Sequence, residues 1–169
     1  FILKAARLIN DEKATQIIEH ITYNRLDAAY DQDVFTRATL RGKLDVNAME
    51  ANRSLYSHVI YDSDNERRFA QELDVSDQVA VYVKLPGSFY ISTPVGKYNP
   101  DWAIAFNEGS VKHIYFVAET KGNLDTMELR GVENAKIECA KKHFAAISNG
   151  SVVYSVVDNY STLMQLVSN

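Results

Sequence analysis

The sequence predicts an α/β domain with a central mixed sheet of about four to five strands flanked by helices. Three observations point there. Strand-length runs rich in β-branched and aromatic residues recur at 79–83, 101–106, 114–121 and 152–157. Helical apolar spacing precedes them at 66–73 and separates the last two at 126–146. The resulting order of helix, strands, helix and strand suits one sheet covered by helices.

Taken in chain order, Ala14, Ile17, Ile18 and Ile21 follow the polar Asn10, Asp11 and Glu12 at helical spacing, an amphipathic helix with acids near its start. Residues 25–58 hold Val34 and Phe35 in a polar stretch and then the mixed run Leu44–Leu55. Short irregular elements serving as a connector are expected there. Asp62, Ser63 and Asp64 offer N-cap oxygens to a short helix carrying Glu66, Phe69, Ala70 and Leu73. Val79, Val81 and Val83 alternate with Ala80, Tyr82 and Lys84 in a strand that stops at Pro86-Gly87. A second short strand, Phe89–Thr93, is closed by Pro94 and Gly96. Two more, Asp101–Phe106 and Ile114–Lys121, flank the turn-rich Asn107-Glu108-Gly109-Ser110, and together these strands form a meander. The helix from about Thr126 to Ala146 has Val132, Ala135, Cys139, Ala140, Phe144 and Ile147 on one face, and Val152–Val157 is the last strand. The expected division is a helical connector over 1–55 and the main domain over 56–169.

With 169 residues, 46% of them hydrophobic, the chain can bury one core and a small appendage. Its single cysteine, Cys139, excludes an internal disulfide, and no Cys and His set has zinc spacing. A cytoplasmic setting is expected. No apolar run approaches the ~20 residues of a membrane span, so no membrane partner is expected. The chain begins with Phe1 and ends in Leu166-Val167-Ser168-Asn169, as a piece of something longer would.

Acids and bases balance in residues 1–60 and 111–169, so the net charge of -4 comes from residues 61–110. A free-standing nucleic-acid binder usually carries a basic excess, because phosphate neutralisation dominates its affinity. Weak binding to DNA by this chain alone is therefore expected. A local surplus of carboxylates fits either a site that gathers divalent cations or a solvated acidic face.

The chemistry concentrates in Tyr98-Asn99-Pro100-Asp101-Trp102 and, after a hairpin, Val117-Ala118-Glu119-Thr120-Lys121-Gly122. Alternation sets Glu119 and Lys121 on one side of their strand. Charges ending so apolar a strand are costly unless paired or bound to a cation. A hairpin brings Asp101, at the start of the first strand, beside Glu119. Two facing carboxylates repel unless a divalent ion lies between them, and Mg²⁺ is held by one or two carboxylates plus waters and phosphate oxygens. Lys121 would then lower the pKa of an attacking water or stabilise a phosphorane's extra charge. Pro100 lacks an N–H and suits an entering strand, helping to aim Asp101. A Glu-X-Lys on a strand also serves as a plain surface ion pair. Glu66 is either an acid beside the metal or a solvated charge. Lys136, Lys141 and Lys142 reach for phosphate or are neutralised by Glu133 and Glu138. His143 reads as helix surface or core edge, Cys139 as inert packing, and Trp102 as core, with stacking on a base as the functional alternative.

At Tyr98–Ala105, Ala118–Gly122 and Ile137–Phe144 the chain resembles the C-terminal endonuclease domain of the restriction subunit of type III restriction-modification enzymes. That family belongs to the PD-(D/E)XK nucleases. The likeness covers roughly residues 50–160, with Asp62-Ser63-Asp64 and Glu66–Leu73 in the place of the family's first nuclease helix. It implies a restriction-endonuclease-like core and Mg²⁺-dependent cleavage of double-stranded DNA. It further implies a methyltransferase partner that reads the recognition sequence and an upstream helicase-like motor that uses ATP. Carried over, Asp101 and Glu119 become metal ligands, Lys121 the water-activating or charge-stabilising group, and Glu66 a helix acid near the metal. The chain has no glycine-rich phosphate loop ending in Gly-Lys-Ser or Gly-Lys-Thr, so ATP chemistry is not its own. Two other readings are a docking module that does not cut, and a nuclease of a DNA repair or junction-resolving system. Asp101, Glu119 and Lys121 weigh against the first, and Ile137–Phe144 against the second.

Overall fold

A computed structural model describes residues 2–24, 35, 43–44, 46–107, 114–119, 131–148 and 152–168. The chain opens with α1 (Ile2–His20), which extends further toward the N-terminus than the Ala14–Ile21 spacing indicates. Ile18 is buried on Ala135 and Cys139 of a later helix, whereas Ile2, Leu3, Leu8 and Ile9 are exposed. The apolar spacing thus marks the docked end, and helix-favouring Leu, Lys, Ala and Arg side chains prolong the helix beyond it. Within the stretch read as a connector, β1 (Ala48–Glu50) and β2 (His58–Ile60) form a two-stranded antiparallel ribbon.

The helix α2 (Asp64–Val75) begins where Ser63, in extended conformation, accepts the Glu66 N–H on its Oγ at 3.2 Å. Its buried residues Glu66, Phe69, Ala70 and Leu73 are those the spacing selects. In β3 (Val79–Lys84) the expected two-residue alternation fails. A register irregularity between Val79 and Val81 puts Tyr82, 1% exposed, into the same core as Val79 and leaves Val81 39% exposed. An extra residue in one strand rephases every side chain after it. The outer edge of β3 is covered by Arg53–Leu55, through Tyr82 N–H to Arg53 O at 3.1 Å and Leu55 N–H to Tyr82 O at 2.9 Å.

The four-stranded sheet runs β3, β6 (Trp102–Phe106), β7 (Ile114–Glu119), β8 (Val152–Val157), with the first three antiparallel and β8 parallel to β7. The short strands β4 (Ile91–Thr93) and β5 (Gly96–Tyr98) are not members of it. They pair with each other as a separate hairpin, which corrects the single meander read from the sequence. Gly96, at φ 113, makes the turn between them. The crossover from β7 to β8 contains α3 (Gly131–Ile147), and the 126–130 part of the expected helix lies outside the described residues. After β8 comes α4 (Tyr160–Val167), capped by Asn159 Oδ1 accepting the Thr162 N–H at 2.9 Å, a helix the sequence reading did not include.

One face of the sheet packs on α2 and α4 through Phe69, Leu73, Tyr82, Trp102, Ile104, Val157 and Leu163. The Trp102 ring lies 5.6 Å from Phe69 and 6.2 Å from Tyr82. On α3, Ala140 and Phe144 cluster with Ile91, Tyr98 and Tyr154. None of the described helices is long and apolar enough to cross a membrane.

Candidate active site

Strand direction decides which residues meet. Because β6 is antiparallel to both neighbours, its first residue, Trp102, pairs with Lys84 at the end of β3 and with Val117 near the end of β7. Because β8 is parallel to β7, Glu119 pairs with Val157 at the end of β8. One end of the sheet therefore gathers Lys84, Asp101, Glu119 and the residue after Val157, Asp158. Asp101 is tied there by its carbonyl, which accepts the Leu85 N–H at 2.8 Å.

The approach to Asp101 is held on both sides. The Asn99 side-chain amide donates to the carbonyls of Gly87, at 3.1 Å, and Phe89, which fixes the turn before Pro100. The Tyr98 and Tyr154 hydroxyls hydrogen-bond to each other, 2.5 Å apart, and Phe144 stacks on the Tyr154 ring at 5.5 Å. Burial pushes both phenols well above their ordinary range, and the negative charge of nearby Asp101 pushes in the same direction. These contacts give Asp101 a defined place at the edge of the apolar layer. Trp102, the next residue, is fully buried on the other side, which removes it as a base-stacking platform.

Glu66 is not a solvated charge. It is 4% exposed, and its Oε2 accepts from Lys84 Nζ at 2.6 Å and from the Asp62 N–H at 2.7 Å. Lys84 Nζ also reaches Asp62 Oδ2 at 2.9 Å. The Glu66 side chain thus closes a capping arrangement with Ser63 while sharing a buried ion pair. Burial alone would lower the Lys84 ammonium, but the hydrogen bonds it donates to Glu66 and Asp62 outweigh it and raise the group. The sequence reading missed Lys84. Its signal was present, since it is a charge ending the apolar strand Val79–Val83, the criterion applied to Glu119 and Lys121.

The candidates on α3 make their contacts elsewhere. Lys141 pairs with Glu138 at 2.6 Å, and Lys142 Nζ donates to the Ile18 carbonyl, joining α3 to α1. His143 lies between the rings of Tyr23 and Phe144, and burial lowers its pKa. Cys139 is buried, which raises its thiol and keeps it inert. Asp158 accepts the Thr162 hydroxyl at 2.8 Å and the Asn159 amide at 3.0 Å, a start to α4. Lys121 lies outside the described residues, and Glu119 is placed by its backbone.

Among the described residues no group of three or more His, Cys, Asp or Glu side chains is gathered to hold a metal. The donor types at this end, carboxylate oxygens on Asp101 and Glu66 with a glutamate ending the adjoining strand, are those a hard divalent cation takes.

No curated protein and no solved structure shows significant similarity to the chain. Residues 52–160 match the protein family described as an endonuclease domain, a span that runs from the cover on β3 to the start of α4 and includes every residue of the site. By that match the chain belongs to the endonuclease-domain family.

Proposed function

We propose that this chain is the Mg²⁺-dependent endonuclease domain of a type III restriction enzyme and hydrolyses phosphodiester bonds of double-stranded DNA. The observation that carries the reading is the register of β6 on β7. It sets the backbone of Asp101 beside the last residues of the strand that ends at Glu119, within a family of endonuclease domains.

In this reading Asp101 and Glu119 hold the ion, with Glu66 beside them. When bound, Mg²⁺ would neutralise phosphate charge and lower the pKa of a coordinated water. The chain's own part is to fix the carboxylates before substrate arrives. Asn99, Pro100 and the Leu85 contact hold Asp101, and the core under Trp102 keeps β3, β6 and β7 in register. Lys121 adds a positive charge where the phosphorane develops negative charge, as water oxygen joins phosphorus and the P–O bond to the leaving strand breaks. The attacking water releases one proton to solvent as it bonds, and the leaving oxygen takes one up.

The balanced or acidic charge of every segment supports a further part of the reading: affinity for DNA comes from elsewhere in a complex. The partners proposed are a methyltransferase subunit that recognises the sequence and a helicase-like motor upstream that uses ATP, in the cytoplasm. Residues 1–55 are the connector to that motor, and 56–169 the cutting domain.

Plasmid cleavage by the complete enzyme with Mg²⁺ tests this. Asp101→Asn and Lys121→Ala are each expected to slow cutting by about 10³-fold, the loss of several kcal/mol of transition-state stabilisation. Undiminished cutting by either variant refutes the site. A gene for a DNA methyltransferase beside this one is expected for the type III assignment, and its absence argues for another DNA-processing system.

A further inference from the structure

Lys84 belongs to none of the motifs that carry the nuclease reading, yet it is the best-buried described cation of the site, with its side chain 16% exposed. Capping of α2 does not demand it. A capping arrangement needs an acceptor at position 66, which a solvated glutamate or a neutral glutamine supplies. Burying an ammonium against that carboxylate is costly, and apolar side chains of similar volume often do as well for stability. The pair also stands where charge matters most, since Lys84 faces Trp102 across the strand pair and the next N–H, that of Leu85, binds the Asp101 carbonyl.

The contacts on Glu66 are uneven. Every hydrogen bond recorded for its carboxylate goes to Oε2, from Lys84 at 2.6 Å and from the Asp62 N–H at 2.7 Å. Among the described residues Oε1 has no such partner. One oxygen is anchored, and the other is left with acceptor capacity. Around Lys84 stand two carboxylates, Asp62 and Glu66, so the cluster keeps a net negative charge after pairing and remains attractive to a cation.

We propose that Lys84 is a positioning residue of the cleavage centre: by anchoring Oε2 it holds the Glu66 carboxylate in place, with Oε1 left to serve the divalent ion or its waters. This rests on the reading of Asp101 and Glu119 as the metal site and adds to it a residue from a third strand. It differs from a simple charge effect in sign. Removing a nearby positive charge should by Coulomb's law tighten cation binding, whereas loss of an anchor should weaken it.

The test is Mn²⁺ binding by the full chain, followed through the free-ion paramagnetic resonance signal, alongside Mg²⁺-dependent cleavage. Lys84→Met is expected to weaken Mn²⁺ binding roughly 10- to 100-fold, the usual effect of losing a group that orients a ligand. In a Glu66→Gln background the same change should add less than about two-fold, since neighbours acting through one another are not additive. The double variant leaves no unpaired buried charge and so guards against a mere folding defect. Should Lys84→Met alone fail to fold, Lys84→Gln keeps a donor for Oε2 without the charge, and weakening of several-fold is expected of it. Binding that tightens or stays unchanged in Lys84→Met, or full additivity with Glu66→Gln, overturns the proposal. If the unaltered chain takes up no Mn²⁺, or Asp101→Asn leaves its binding intact, the underlying metal-site reading fails instead.

Discussion

The two ends of the four-stranded sheet use polar residues in different ways. At the end where β3 starts and β6 finishes, side chains serve the backbone. The Asn107 amide donates to Asp77 O at 2.6 Å, Arg53 Nη1 donates to Val79 O at 3.0 Å, and Asp74 accepts the N–H groups of Asn52 and Arg53. Those groups satisfy main-chain donors and acceptors where strands and helix end, as any fold must. At the opposite end the charges are drawn inward, with Lys84, its side chain 16% exposed, between Glu66 and Asp62 beside Asp101, whereas the ion pair of the first end, Arg53 with Asp77, is largely exposed. Local structure accounts for the first set almost completely and for the second only in part. The surplus is what separates a site from a set of caps.

Substitutions at the two ends should therefore behave differently. Glu66→Ala removes the acceptor for Asp62 N–H and strips Lys84 of its closest partner. A loss of about 3 kcal/mol is expected in denaturant unfolding, at the low end for breaking a buried pair because Asp62 still faces the ammonium. DNA cleavage should fall as well. A loss under about 0.5 kcal/mol would mean that the pair is solvated in solution. At the backbone-serving end, Asp74→Ala leaves the Asn52 and Arg53 N–H groups without their acceptor and should cost about 2 kcal/mol. Cleavage at a temperature where the variant stays folded should not change, and a large activity loss would erase the contrast between the ends.

The smallest effect is on pH dependence. Tyr98 and Tyr154 have raised phenol values in the folded chain, chiefly from burial, against an ordinary value of 10.0. Folding thus favours their protonated forms. The stability they contribute is fully present below pH 10 and is lost as pH rises above it, and the raised Lys84 group acts in the same direction. The melting temperature should be level from about pH 7 to 9 with respect to these groups and fall above pH ~10. Tyr98→Phe should change the slope of that fall.

Much of this was legible in the residues. Ser63, Glu66, Phe69, Ala70 and Leu73 define α2 because a cap and a three-to-four apolar spacing are local signals. The adjacency of Asp101 to the end of β7 followed from two apolar runs joined by a turn. What the sequence concealed was nonlocal. The irregularity that turns Tyr82 inward depends on how β3 meets β6, and the separation of β4 and β5 from the sheet on where α3 lies. Lys84 was hidden for the same reason: its partners are 18 and 22 residues earlier, on the first turn of a helix and just before it. The short helix α4 was missed although Asn159, Leu163 and Val167 marked its cap and its buried face.

The central claim is that a divalent ion binds at the end of the sheet holding Asp101, and local oxidative cleavage reads that location directly. Fe²⁺ substituted for Mg²⁺, treated with peroxide and returned to the ferrous state by ascorbate, should cut the backbone near residues 62–66, 84–85, 101 and 119, and excess Mg²⁺ should suppress the cuts. Cuts clustered instead around Asp74, Asp77 and Asn107, or cuts that Mg²⁺ leaves unaffected, would contradict the account.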